Sequence, residues 1–133
     1  MLFRSPENTE VKIISAIESL APMTAEPFAI SAEYYAEMEE AATKQAKAFV
    51  EQAEIDFKEI CPNLSNVSSK ILRGHAPQAI VESAREWNAD LIVIGSHGYG
   101  FWSRALLGSV SNSVVHHAPC SVLIVRGKDT AKS

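Results

Sequence analysis

The stretch of sequence that decides the fold runs from residue 89 to residue 126 and reads ADLIVIGSHGYGFWSRALLGSVSNSVVHHAPCSVLIVR. A continuous apolar run at 91–94 ends at Gly95, which is typical of a parallel strand covered on both faces. The pattern at 106–118 indicates a short helix, and a second continuous apolar run extends over 122–125. This order predicts parallel strands joined by a right-handed helical crossover.

The rest of the chain continues this alternation. Residues 11–17 are rich in branched apolar side chains and predict a strand, as do residues 67–72. Between them, apolar residues recur every three or four positions over 32–60, which predicts one amphipathic helix of about 30 residues, roughly 45 Å long. A further helix is predicted to begin at Pro77 and to stop at Asn88. The sequence thus predicts an α/β fold in which a mainly parallel sheet is sandwiched by helices.

Composition limits the classes of function. At 133 residues and 14.5 kDa the chain has room for one domain, residues 1–133, and not for two with separate cores. It has 12 Lys and Arg against 16 Asp and Glu, so it lacks the basic surface that a nucleic-acid-coating protein needs. No apolar run approaches the roughly 20 residues of a membrane span, and two cysteines are too few for a disulfide scaffold. We therefore expect a cytoplasmic protein that binds any anion mainly through backbone dipoles or a few placed side chains.

Glycine placement is the most informative functional feature. All six glycines lie at or after position 74, and four of them fall within residues 95–108, at Gly95, Gly98, Gly100 and Gly108. The pattern indicates a strand, a bent loop and then a helix that opens at Gly108, Ser109 and Val110. The first turn of a helix offers unpaired N–H groups at the positive end of its dipole. A phosphate can bind there without a basic side chain, and the Ser109 hydroxyl adds a donor.

A purely structural interpretation of the same glycines stays open. Loops between a strand and a helix often contain glycine because the chain has to turn, and Ser109 would then be only an N-cap. The loop is not a P-loop, because no GK[ST] follows, and its spacing differs from the dinucleotide pattern GxGxxG.

The spacing Gly95-x2-Gly98-x9-Gly108-Ser109 resembles the nucleotide-binding signature of the universal stress protein family, G-x2-G-x9-G-[S/T]. The segments ADLIVIGSHG, SRALLGSVSNSVVHHAPCSVLIVR and GHAPQAIVESA are similar to that family throughout, and the resemblance covers residues 11–126. It implies a Rossmann-like fold of the adenine nucleotide alpha hydrolase type. It also implies a homodimer that pairs through the last strand, from Val122 to Val125.

The resemblance further implies an adenine nucleotide, ATP or AMP, with or without Mg²⁺. Carried over by position, the site residues would be Ile94 and the Gly74–Ala76 turn beside the nucleoside, Gly95 near the ribose, Gly98 in the loop, and Gly108, Ser109 and Val110 at the phosphates. His97 lies within the glycine loop and is either a nucleotide contact or an exposed loop histidine.

One part of the family pattern is missing. Members open with a strand of the type VAVDGS and a helix, whereas here MLFRSPENTE leads directly into what matches the family's second strand. The absent strand is central in the family's order 3-2-1-4-5, and its Asp helps to bind the adenine. Residues 11–17 and 91–94 would then pair directly, a partner subunit would complete the sheet, or the sequence is a truncated version of a longer product. We expect a rearranged or partner-completed sheet.

These observations favour a nucleotide-binding module of the stress response, in which ATP or AMP biases conformation or assembly. The alternative is a dimeric interaction module that has lost useful nucleotide binding together with its first strand. Slow ATP hydrolysis stays open as a third function, although no catalytic residue is evident near the glycine loop. No metal site is predicted either, because His116 and His117 are consecutive and point about 100° apart on a helix.

Overall fold

Strands and helices alternate along the chain. The computed structural model describes residues 8–18, 31–96 and 107–127. Within these ranges the elements are β1 (Val11–Ile17), α1 (Ala32–Ile60), β2 (Val67–Arg73), α2 (Ala76–Glu86), β3 (Leu91–Gly95), α3 (Ser109–His117) and β4 (Ser121–Val125). The predicted α/β class is therefore confirmed, with helix α3 beginning at Ser109 rather than at 106.

The strands pair in parallel, two by two. β1 pairs with β2, with Val11 opposite Val67, and β3 pairs with β4, with Leu91 opposite Ser121. Direct pairing of 11–17 with 91–94, one of the three arrangements that the sequence leaves open, is not among the pairings of the described strands. Each pair instead joins strands that a single helical crossover connects, which is the usual outcome for consecutive parallel strands.

The chain divides between His75 and Ala76 into two units. The first unit contains β1, α1 and β2, and the second contains α2, β3, α3 and β4. Among the described helices, none is long and apolar enough to cross a membrane.

In the first unit, α1 packs on both strands. The helix begins after Ser31, whose hydroxyl accepts a hydrogen bond from the Tyr34 N–H at 3.2 Å. Its buried residues are Ala46 and Val50, whereas large apolar side chains such as Phe49 and Ile60 are exposed. The helix is therefore amphipathic as predicted, but it buries only a narrow part of its surface.

The second unit contains a hydrophobic cluster built from both helices and from the sheet. Its buried members are Val81, Ala84, Ile92 and Val114. Val114 has no exposed surface at all. The cluster packs α2 and α3 against the β3–β4 sheet.

Helix α2 stops where the sequence predicts. Asn88 adopts a positive φ of 54°, a conformation that Asn tolerates better than most residues. The Asn88 N–H donates to the Arg85 carbonyl at 3.2 Å and the Ala89 N–H to the Ala84 carbonyl at 2.9 Å. These two bonds form a Schellman motif, which satisfies carbonyls at the end of the helix.

Candidate functional site

The candidate site begins where β3 ends. Gly95 is the last residue of the strand, and the Ser96 N–H donates to the Val125 carbonyl at 2.9 Å, which continues the pairing with β4. Ser96 is buried. The backbone is therefore held in register with β4 for one residue beyond the strand, at the carboxyl edge of the sheet.

Gly108 approaches this edge from the helix side. Its N–H donates to the Ser96 carbonyl at 2.7 Å, and its own carbonyl accepts from the Asn112 N–H at 2.9 Å. Gly108 is thus the N-cap of α3, with φ −58° and ψ 157° and no side-chain capping bond. The interpretation of Ser109 as an N-cap is wrong, because Ser109 is the first helical residue.

Ser111 joins the helix to the strand a second time. Its hydroxyl lies 2.8 Å from the Gly95 carbonyl oxygen and 3.1 Å from the Ser96 carbonyl oxygen, so its proton is shared between two acceptors. The residue is 2% exposed. We refer to Gly95, Ser96, Gly108 and Ser111 together as the β3–α3 junction.

Sequence reasoning missed Ser111, although a signal was present. The residue lies three positions before the fully buried Val114, and therefore on the core side of α3. A polar residue at such a position has to find a hydrogen-bond partner, because burying an unpaired hydroxyl is unfavourable. The backbone at the end of the preceding strand provides that partner.

The first turn of α3 keeps donors that have no partner among the described residues. An α-helix begins with four N–H groups that lack intrahelical acceptors. The Gly108 N–H is bonded to Ser96, and those of Ser109, Val110 and Ser111 remain. Ser109 is exposed, and the first turn contains no acidic residue. The arrangement can bind an anion through backbone N–H groups and the helix dipole.

The predicted site residues are distributed over several places. Gly95, Gly108, Ser109 and Val110 lie at or next to the β3–α3 junction, and the half-buried Ile94 packs against the core of the second unit. His97 and Gly98 lie outside the described residues.

Gly74 belongs to the first unit, where it follows β2 with a φ of 123°. Its N–H donates to the Ile17 carbonyl at 3.0 Å, at the carboxyl edge of the β1–β2 sheet. The next residue, His75, places its Nδ1 3.3 Å from a carboxylate oxygen of Glu18. The predicted Gly74–Ala76 turn is therefore a real turn at the carboxyl ends of two parallel strands.

Metal-ligating side chains do not cluster in the part of the chain that the structure describes. No group of three or more His, Cys, Asp or Glu residues there could hold a metal ion. His117 is occupied locally, with its Nδ1 2.8 Å from the Ser113 carbonyl oxygen. Both cysteines, Cys61 and Cys120, are free thiols.

Comparison with known families gives a match over most of the chain. The model of the universal stress protein family matches residues 2–126. A Staphylococcus aureus (strain USA300) protein that carries the universal stress protein name is 38% identical over 91 residues, which is 65% of this chain and 54% of that protein. The chain therefore spans about half the length of the curated relatives it matches.

Solved structures agree with the fold. Universal stress protein UspA from Lactobacillus plantarum superposes with a TM-score of 0.70 at 25% identity, over 88% of this chain and 77% of that chain. Hypothetical protein MJ0577, whose structure served to assign a biochemical function, also gives a TM-score of 0.70, at 28% identity over 91% of this chain and 78% of its own.

Proposed function

The chain belongs to the universal stress protein family, and on this premise we propose that it is a stress-response module that binds ATP or AMP at the start of α3. The observation that carries the proposal is the first turn of this helix, which no side chain of the described residues caps and which the β3–α3 junction positions beside the carboxyl edge of the sheet. In open α/β sheets, ligands bind outside the carboxyl ends of the strands.

The charges of the first turn fit an anionic ligand. The protein as a whole carries a net charge of −4, so long-range attraction does not bring a polyphosphate to it. The local field at α3 has the opposite sign, because the first turn contains no acidic residue and the helix dipole points its positive end outward. Phosphate recognition through N–H groups is the mode that suits this site.

We assign the phosphate donors one residue later in the chain than the sequence-based prediction does. The Gly108 N–H already donates to the Ser96 carbonyl, so the donors we assign to phosphate are the N–H groups of Ser109, Val110 and Ser111, with the Ser109 hydroxyl beside them. Gly108 contributes in another way. It is the N-cap residue but has no side chain, so it offers no side-chain acceptor to the N–H groups of the first turn.

The remaining parts of the proposal follow the resemblance. The nucleoside would lie near Ile94 and Gly95, with His97 and Gly98 as further contacts. Mg²⁺, when present, would accompany the phosphates, since Mg²⁺ is usually bound together with substrate phosphates and water. We further propose that the module acts in the cytoplasm as a homodimer paired through β4, with the nucleotide biasing its conformation or assembly.

A second function has an observation in its favour. The alternating residues Leu91 and Val93 of β3 and Leu123 and Val125 of β4 are apolar, and each is about half exposed. Four such side chains on one face of a two-stranded sheet are typical of an interaction surface. The alternative is therefore a dimeric interaction module without useful nucleotide affinity.

A pair of substitutions at Gly108 tests the proposed site. Gly108→Asp supplies a capping carboxylate that accepts from the first-turn N–H groups and repels phosphate, whereas Gly108→Asn supplies a neutral cap of the same shape. We expect Gly108→Asp to raise the free energy of unfolding of the free protein by roughly a few tenths of a kcal/mol, because Gly is already a fair N-cap residue. We expect the same variant to weaken ATP binding by at least about tenfold, a loss near 1.4 kcal/mol. Gly108→Asn should weaken ATP binding less.

Thermal-shift titration with ATP, AMP and adenosine measures these effects. A ligand at 100 times its Kd adds about 2.7 kcal/mol of stability, which is readily detected. If millimolar ATP and AMP leave the melting temperature of the unmodified protein unchanged, the interaction module replaces the nucleotide-binding module. If ATP binds but Gly108→Asp retains full affinity, the phosphates do not bind at α3.

A further inference from the structure

The β3–α3 junction contains a side chain whose role neither the signature nor the proposed donors explain. Ser111 is 2% exposed, and its hydroxyl donates to the carbonyl oxygens of Gly95 and Ser96 at 2.8 and 3.1 Å. We propose that Ser111 is a positioning residue: its hydroxyl fixes the distance between the strand end, where the nucleoside would lie, and the helix start, where the phosphates would bind. This inference rests on the proposed function.

The first argument is where the hydroxyl donates its proton. A serine in the first turn of a helix can bond to nearby backbone groups of its own segment. Here the Ser111 hydroxyl instead donates across 15 and 16 residues of sequence to the preceding strand. The residue therefore links two segments that are far apart in the chain and does not cap its own helix.

The second argument concerns which hydrogen-bond donors the β3–α3 junction uses. The Ser96 carbonyl accepts from both the Gly108 N–H at 2.7 Å and the Ser111 hydroxyl, and the Gly95 carbonyl accepts from Ser111. The N–H groups of Ser109 and Val110 take no part in these bonds. The Gly108 N–H and the Ser111 hydroxyl thus attach the helix start to the strand end. The junction does not use the N–H groups of Ser109 and Val110, which we assign to phosphate.

The third argument concerns which ligands should have an affinity that depends on the junction. ATP would contact the strand end through its nucleoside and the helix start through its phosphates, so its affinity depends on the spacing between the two. Adenosine touches only the strand end, and tripolyphosphate touches only the helix start. A loosened junction should therefore weaken the binding of ATP much more than the binding of either fragment, because only ATP makes both contacts at once.

The test compares three variants with the unmodified protein. Ser111→Ala removes the hydroxyl, and Ser111→Thr retains it. Val114→Ala removes buried volume one turn further along the same helix without touching the junction. For Ser111→Ala we expect ATP affinity to fall about fivefold to tenfold, as for one lost hydrogen bond with loosened geometry. Adenosine and tripolyphosphate should each change less than about twofold.

The controls separate positioning from stability. Ser111→Thr should restore ATP affinity to within about twofold, because it keeps the hydroxyl. Val114→Ala should lower the melting temperature and leave ATP affinity in the folded protein unchanged. A Ser111→Ala variant that binds ATP normally, or that loses affinity for all three ligands equally, overturns the positioning role.

Hydrogen exchange of the free protein gives a readout that needs no ligand. If Ser111 holds the junction, the Gly108 N–H, bonded to Ser96, should exchange faster in Ser111→Ala than in Val114→Ala at equal global stability. Unchanged exchange overturns the inference even if ATP binds. If the unmodified protein binds none of the three ligands, the proposed function fails, and exchange alone then decides whether Ser111 holds the junction.

Discussion

The two units of this protein differ in how they use their helices. In the first unit, the 29 residues of α1 contribute two buried side chains, Ala46 and Val50. In the second unit, the 9 residues of α3 also contribute two buried residues, Ser111 and Val114, and these connect to a cluster that includes α2 and the sheet. The unit whose buried hydrophobic residues form one cluster is the one that carries the candidate site. Donors that must stay in place for a ligand need neighbours that are packed tightly enough to hold them.

Their polar contacts differ in the same sense. The described side-chain ion pairs and hydrogen bonds of the first unit lie largely at its surface, such as Lys58 with Glu54 at 2.9 Å and Arg73 with Thr43 at 2.8 Å. The second unit buries the hydroxyl of Ser111 at the β3–α3 junction. Exposed pairs stabilise little, whereas a buried group that loses its partner costs much more. We therefore expect substitutions in the two units to change the free energy of unfolding by different amounts.

The largest difference should appear in the two cores. Val114→Ala removes two methyl groups from a fully buried position, and we expect it to lower the free energy of unfolding by about 2–3 kcal/mol. Val50→Ala makes the same change in α1, at a position that is 3% exposed and does not belong to the buried cluster, and we expect a loss of about 1 kcal/mol. Urea unfolding of both variants measures the difference. An equal or larger loss in Val50→Ala would contradict the contrast between the units.

A smaller effect is expected at the end of α2. Asn88 has a φ of 54°, which a β-branched side chain tolerates poorly. Asn88→Val should therefore lower the free energy of unfolding by about 1–2 kcal/mol. Asn88→Gly is the matched control and should be close to neutral, because glycine adopts this conformation freely. Denaturant unfolding of both variants is the measurement, and equal losses would mean that the Asn side chain, not the backbone angle, matters there.

The smallest effect should come from the surface of the first unit. The Lys58 ammonium, and then the hydroxyl of Ser69, lower the pKa of Glu54 from its ordinary value of 4.5. A carboxyl with a lowered folded pKa stabilises the fold above its unfolded pKa, and this contribution is lost as the pH falls through the folded pKa. Glu54→Gln should therefore be slightly less stable than the unmodified protein at pH 7, and the gap should close below pH 4.5.

Thermal unfolding of the Glu54→Gln variant and of the unmodified protein, at several pH values in low salt, checks this prediction. A gap that persists in strongly acidic buffer would mean that the substitution acts through packing and not through charge. Added salt should shrink the gap at pH 7, because exposed pairs are screened.

Periodicity was sufficient to predict the elements because it reflects local packing requirements. The continuous apolar runs predicted β3 and β4, and the apolar spacing predicted α1 to within a residue of its bounds. Asn88 was predicted to stop α2, and it follows the helix with a positive φ. Pro77, predicted to open that helix, follows Ala76 as its second residue. Such signals are readable because each depends on neighbours within a few positions.

The candidate site was harder to predict from the sequence, because its hydrogen bonds join residues that are far apart in the chain. The glycine spacing indicated a phosphate site at Gly108, Ser109 and Val110, but it gave no sign that the Gly108 N–H is taken by the Ser96 carbonyl, 12 residues earlier. Ser111 was missed for the same reason, since its acceptors lie 15 and 16 residues away.

The order of elements, the parallel α/β class and the family follow from the sequence alone, because hydrophobic period and glycine spacing are properties of short segments. Only the tertiary structure decides which strands pair. It also decides which N–H groups at the start of α3 have no partner among the residues that the structure describes. A backbone donor or acceptor looks the same at every position of a sequence. Its partner is chosen when the folded chain brings the Gly95–Ser96 carbonyls and the Gly108–Ser111 turn within hydrogen-bond distance.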